Sequence, residues 1–156
     1  MQKRVRAADP EALEALRQNH IGRLLLTAQR DYSVRALAKL RERGHDGLTL
    51  AHTNLLAHLD VGGTRMTTLA ERVGVTKQAI GGLVAELEAK EYVRREPDPA
   101  DGRASAITYT AAGREFLQDA HEVKQEIEQE YAAVLTPTGF DDLRRLLRRL
   151  VSGVAR

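Results

Sequence analysis

The chain has 156 residues, 42% hydrophobic and 29% charged, with a formal net charge of +2 and no cysteine. That length suits one domain or two small lobes sharing a core. The missing cysteines exclude disulfides, thiolate metal sites and thiol-based redox sensing. No run approaches 18 uninterrupted apolar residues, so no membrane span is expected, and the basic start "MQKRVRAADPEAL" lacks the apolar stretch of a secretory signal; the expected location is the cytoplasm.

In chain order, the first expected element is one long helix over residues 9–43. Asp9 suits its N-cap and Pro10 its first position, Leu13, Leu16, Leu24, Ala28, Leu37 and Leu40 recur at helical spacing, and Gly22 is the one internal weakness. Gly44 offers a left-handed stop. A second helix, about Thr49 to Asp60, carries Leu55, Leu56 and Leu59 on one face, and "DVGGTR" then breaks the pattern.

Residues 66–85, "MTTLAERVGVTKQAIGGLVA", hold two short helices joined at Gly74. Thr68 with Glu71 fits a capping box for the first, starting at Thr67 or Thr68, and Thr76 caps the second. Small Ala70, then Gly74, then branched Ile80 is the spacing of a helix-turn-helix, although any pair of antiparallel helices could use the same glycine. Strand-like alternation follows: "YVRREP", a turn "DPADG", and a return strand in which Ser105, Ile107 and Tyr109 alternate with Ala106 and Thr108. A helix-turn-helix followed by a hairpin is a winged helix. In that geometry the second helix of the motif enters the major groove of DNA and the hairpin tip lies beside the minor groove.

Roles follow for named residues. Thr67, Thr68 and Thr76 offer hydroxyls and helix-start N–H groups to phosphates. Lys77 and Gln78 occupy the first turn of the second helix, where lysine can donate to guanine and glutamine can pair with adenine. Arg94 and Arg95 flank the first wing strand and could hold phosphates. Arg103 suits a narrow, negative minor groove because its guanidinium is planar and weakly hydrated. The competing reading of each charge is a solvated surface group, and overall charge does not arbitrate, since Lys/Arg and Asp/Glu number seven each between residues 61 and 110.

Thr110 can cap another long helix to about Leu135, with Phe116, Leu117, Ala120, Val123, Ile127, Tyr131 and Val134 on its stripe. Thr136 and Pro137 start the last helix, which carries Leu143, Leu146, Leu147, Leu150 and Val151. These terminal helices make a thin core for one chain, so the economical expectation is a homodimer with interleaved helices; a monomeric helical bundle is the alternative.

The order of elements resembles the MarR family of bacterial transcription regulators, winged-helix homodimers. The resemblance is carried most specifically by "LAERVGVTKQAIGGLVAELEAKEYVRREPDPADGRASAITYTAAG". Asp101-Gly102-Arg103 is similar to the family's Asp-x-Arg wing motif, and Thr110-Ala111-Ala112-Gly113 to its "T-x-x-G". The resemblance implies a mainly α fold (a winged α+β lobe with a helical dimerisation region from both chain ends), residues 49–110 forming the DNA-binding lobe and residues 1–48 with 111–156 the dimerisation region. It implies that Arg103 enters the minor groove, that Asp101 restrains the wing, and that the partner is a pseudo-palindromic double-stranded operator. It also implies a repressor released by a small anionic aromatic effector, for which His20, Arg23, Arg30, His52 and His58 are the candidate contacts.

Two departures stand out: Gly81-Gly82 where many relatives carry Ser or Thr followed by Arg, and Glu91 where relatives usually place glycine. Two glycines inside a helix cost on the order of 1 kcal/mol each relative to alanine, so either the backbone approaches DNA or another helix at Gly81, or this helix tightens only on binding. No cofactor or metal is expected, although a metal-responsive regulator using His45, His52, His58 and His121 is an alternative, as is a winged helix serving as a protein–protein interaction module. With three serines, no cysteine, no phosphate-cradling glycine loop and no outstanding carboxylate pair, an enzyme is not expected.

Overall fold

The computed structural model describes residues 10–18, 20–98 and 101–154; the side chains of Glu11, Ala12, Ala15, Leu16, Asp101, Gly102 and Arg103 also lie outside the described residues. The expected Asp9 cap falls outside them as well. The chain divides into two compact units, residues 1–35 and 36–156.

The expected single N-terminal helix is two: α1 (Pro10–Gln18) and α2 (Ile21–Glu42). The break is made by His20, whose Nδ1 accepts from the Gly22 N–H at 3.1 Å and whose carbonyl accepts from Arg23 and Leu24. A side chain capping a new helix has replaced a continuous ladder, next to the glycine that already weakened it. In the first unit Leu13, Ile21, Leu24, Leu25, Leu26 and Val34 are exposed.

The second unit opens with the end of α2, where Leu37 and Leu40 are buried. α3 (Leu50–His58) follows, capped at Thr49 with His52 as the reciprocal partner: the Thr49 hydroxyl accepts from the His52 N–H, and His52 Nδ1 accepts from the Thr49 N–H. β1 (Thr64–Arg65) leads directly into α4 (Met66–Val73). Gly74 sits at φ 76°, a left-handed conformation that glycine adopts freely, and turns the chain into α5 (Lys77–Ala89). β2 (Val93–Asp98) and β3 (Asp101–Tyr109) form the wing. The expected two-stranded hairpin is therefore a three-stranded antiparallel sheet, order β1-β3-β2, with Thr64 opposite Ile107. A two-residue strand carries too little alternation to be visible in sequence.

α6 (Ala111–Leu135) and α7 (Pro137–Val154) complete the chain. The reason for "T-x-x-G" is local. The Thr110 hydroxyl accepts from the Gly113 N–H at 3.0 Å and donates to the Glu91 carbonyl, and a Cβ on Gly113 would lie 2.0 Å from the Tyr92 carbonyl oxygen. Only glycine lets α6 approach the chain leaving α5 this closely.

The core of this unit runs between the helices and the sheet: Leu48, Leu55, Leu56, Leu69, Ile80, Val84, Leu87, Val93, Ile107, Phe116, Val123 and Ile127 are each no more than 3% exposed. The Tyr109 hydroxyl donates to the Leu56 carbonyl at 2.7 Å, fastening the sheet to α3. His45, between α2 and α3, joins three segments through Tyr92 Oη (2.7 Å) and Asp119 Oδ2 (2.9 Å). Lys39 bridges to Glu126 and Glu130 of α6, contacts that raise its pKa and lower that of Glu126.

Candidate nucleic-acid interface

The helix-turn-helix is rigid because its inner face is apolar and its turn is fixed. Leu69 and Ala70 of α4 and Ile80, Val84 and Leu87 of α5 are buried, while the Gly74 and Val75 N–H groups both return to the Ala70 carbonyl. The capping box expected at Thr68 and Glu71 does not form. β1 delivers the chain straight into α4 with Arg65 as N-cap and no side-chain cap, so Thr67 and Thr68 lie inside the first turn, Thr67 exposed and Thr68 half-buried.

At α5 the expectation holds: the Thr76 hydroxyl accepts from the Ala79 N–H at 3.2 Å. Lys77 and Gln78 are exposed, and neither side chain has a hydrogen bond or ion pair to any described residue. Gly81 and Gly82 follow one turn later. A Cβ built at either would meet no atom within 4 Å, so the space a side chain would fill is open at both.

The wing's arginines differ. Arg94 is 60% exposed, pairing with Glu96 at 2.8 Å and with the Thr108 hydroxyl at 3.4 Å. Arg95, 41% exposed, reaches across to α5: its Nη2 donates to the Gly81 carbonyl at 3.2 Å and its Nε lies 3.3 Å from Glu88 Oε2. Arg95 is expected from sequence to hold a phosphate; in the fold its guanidinium is engaged by Gly81 and Glu88. At the tip, pairing passes from Pro97–Ser105 to Asp98–Asp101, so Gly102, Arg103 and Ala104 are bulged out of the ladder. Gly102 therefore lies in β3 rather than shaping the turn. Bulges re-aim the residues they contain, and Arg103 is one of them, although its side chain and that of Asp101 lie outside the described residues. Asp98 is buried and ion-paired to Arg65 Nε, tying the tip end of β2 to β1; the sequence offered Asp98 only as turn chemistry.

The candidate effector residues are dispersed in role. His20 is a helix cap, and Arg23 and Arg30 are exposed. His58 Nδ1 lies 2.8 Å from the Asn54 carbonyl. His52 is 1% exposed with both ring nitrogens in use, one on Thr49 and the other 2.8 Å from Glu86 Oε2, so it is a capping residue with no nitrogen left for a ligand. The histidines named for metal sensing do not converge: among the described residues no group of three or more metal-capable side chains exists.

Near the surface, Asp60 is held below the usual carboxylate range by its hydrogen bond from Arg72, which also anchors the end of α3 through the His58 carbonyl. Tyr109 is pushed well above the ordinary tyrosine range by burial, with the Asp60 charge adding to it.

Two helices packed through a left-handed glycine, a capped second helix with a bare polar first turn, and a bulged hairpin beside it define a winged helix-turn-helix protein. A model of the MarR family matches residues 46–104. Transcriptional regulator HosA of Escherichia coli O111:H- is 28% identical over 93 residues, covering 60% of this chain and 69% of HosA. Among solved structures, a probable transcriptional regulator from Pseudomonas aeruginosa superposes with TM-score 0.66 at 26% identity, covering 85% of this chain and 98% of that one. Apo MarR of E. coli gives TM-score 0.70 at 22% identity over 84% of this chain and 96% of its own, a likeness of fold. Over residues 46–104 the chain is similar to the MarR family, and its fold is that of a winged-helix regulator of this kind.

Proposed function

We propose that the chain is a homodimeric, sequence-specific double-stranded DNA-binding repressor that a small anionic aromatic ligand releases. The observation that carries DNA binding is the first turn of α5: Lys77 and Gln78 are exposed, without partners among the described residues, on a helix whose opposite face is locked into the core. Lysine and glutamine at such a helix start have the donors and acceptors that read guanine and adenine edges. Thr67 and Thr76 supply phosphate contacts beside them, Arg94 adds one from the wing, Gly81 permits close approach, and Arg103 takes the minor groove with Asp101 restraining it.

Residues 49–110 are the DNA-binding lobe, and residues 1–48 with 111–156 the dimerisation region. What supports dimerisation is the apolar surface these segments leave exposed, Leu24 and Leu26 in the first unit and Leu146, Leu150, Val151 and Val154 in the second. Repression and release by an anionic ligand rest on the family resemblance, with His20, Arg23, Arg30 and His58 as the polar contacts. No helix among the described residues is long and apolar enough to cross a membrane, and a DNA-binding role places the protein in the cytoplasm with the chromosome.

Selection from a random duplex library tests the reading. It should enrich a pseudo-palindrome with half-sites roughly one helical turn apart, and Gln78→Ala should relax preference at one position per half-site while Arg103→Ala weakens all sites. Failure to enrich any sequence would refute it.

A further inference from the structure

DNA reading leaves one local conflict unexplained. The helix that carries Lys77 and Gln78 runs, just past its first turn, through Gly81-Gly82, the weakest ordinary helix formers. Packing within the described chain does not demand them, because the space around both is open.

At the same point a side chain reaches in from the wing. Arg95 of β2 donates from Nη2 to the Gly81 carbonyl at 3.2 Å, places Nε 3.3 Å from Glu88 Oε2, and donates its main-chain N–H to Glu88 Oε1 at 3.0 Å. Gly81 and Glu88 are seven residues apart, about two helical turns. One wing residue is thus fastened to α5 on both sides of Gly82. A helical carbonyl that already accepts from the N–H four residues on has a second lone pair, and at a glycine no side chain shields it. The planar, forked guanidinium can serve both anchor points at once, which a lysine ammonium cannot.

We propose that Arg95 is a positioning residue: a strap that holds the recognition helix at its glycine pair and fixes its first turn relative to the wing. The inference rests on the DNA-reading role proposed above and deepens it. Sequence preference depends on where Lys77 and Gln78 point, and that direction is set across the weak point by Arg95. The glycine pair leaves the groove-facing surface open, while the strap supplies the stiffness the glycines remove.

The test has two arms. In free protein, amide hydrogen exchange is followed for residues 82–86, whose N–H groups bond to carbonyls around the glycine pair, in wild type, Arg95→Lys, Arg95→Gln and Arg95→Gln/Gly82→Ala. Both single variants should speed exchange there about tenfold or more, leave α6 unchanged as a check on folding, and be rescued by Gly82→Ala, which stiffens the helix without restoring a charge. In the second arm, affinity for the selected duplex and for a scrambled one is measured against salt. Either single variant should narrow the difference between the two duplexes about tenfold, and Arg95→Gln should leave the slope of log affinity against log salt nearly unchanged. Unchanged exchange, with wild-type discrimination in Arg95→Lys and a slope shallower by about 0.9 in Arg95→Gln, would make Arg95 a phosphate contact and overturn the proposal. No change in either arm would make it a surface residue and overturn it equally. If wild type binds no duplex, DNA reading fails by itself, and the exchange arm still decides whether Arg95 is a strap.

Discussion

The middle of the chain and its last helix show two ways of handling apolar residues. Between Leu48 and Val93 the large aliphatics of α3, α4 and α5 that face inward are essentially sealed, with Leu55, Leu69, Ile80, Val84 and Leu87 at 0% exposure. α7 buries no residue at all: Leu146 is 53% exposed, Leu150 49% and Val154 75%. Yet α7 is the better made helix by pattern, with a Thr136 cap, Pro137 at its first position and one apolar stripe. The lobe completes its own core, whereas α7 presents a finished face with nothing on it. A chain does not leave such a stripe in water without consequence, and the dimerisation proposed here is the partnering it lacks.

The largest effect should come from breaking that face. Leu146→Glu with Leu150→Glu removes two anchors from each protomer, about 1.5–3 kcal/mol apiece if they are buried between protomers, weakening association by at least about 10⁴-fold. Sedimentation velocity should then report monomers at concentrations where the parent chain dimerises, and the concentration dependence of the melting temperature should vanish. If the variant sediments like the parent, α7 is not in the interface and the contrast drawn above loses its meaning.

A smaller effect tests the sealed lobe. Tyr109→Phe deletes the donor to the Leu56 carbonyl and should destabilise by about 1–2 kcal/mol, read by urea denaturation. Because the folded protein holds the Tyr109 hydroxyl neutral above the ordinary tyrosine range, its contribution is complete below about pH 10 and is lost as pH rises beyond that. The parent should therefore lose stability above pH 10 more steeply than Tyr109→Phe; parallel curves would show that Tyr109 ionises as freely folded as unfolded.

The smallest expected effect is a gain. Glu91 occupies φ 62° at the end of α5, with its N–H on the Glu88 carbonyl and the Tyr92 N–H on the Leu87 carbonyl. This is the paired bonding of a glycine-type helix stop, built with a glutamate. Glu91→Gly should raise stability by about 1 kcal/mol and the melting temperature by roughly 2–4 °C. A fall would show that the glutamate side chain contributes something its exposed position does not reveal.

Much of this was legible in the sequence because the signals were local. Thr76, Thr110 and Thr136 cap the helices they precede, and Gly74 takes the left-handed turn, since caps and turns are decided by a few adjacent residues. What escaped was set across the chain. Thr68 and Glu71 had the right spacing for a box, but β1 started α4 two residues earlier. His52 looked like a ligand contact until Glu86, 34 residues away, was seen to occupy its second nitrogen. Arg95 looked like its neighbour Arg94; strand alternation sends one to solvent and the other to Gly81, and the partner was invisible without the fold. Glu91 departed from the family's glycine in residue type while keeping the glycine's backbone conformation.

The central claim is that α5 and the wing read duplex DNA, and a salt titration tests it most directly. Binding to the selected pseudo-palindrome and to a scrambled duplex of equal length should both fall with salt along steep log–log lines, offset by at least about a thousandfold in affinity. A single weak line shared by the two duplexes would contradict the account.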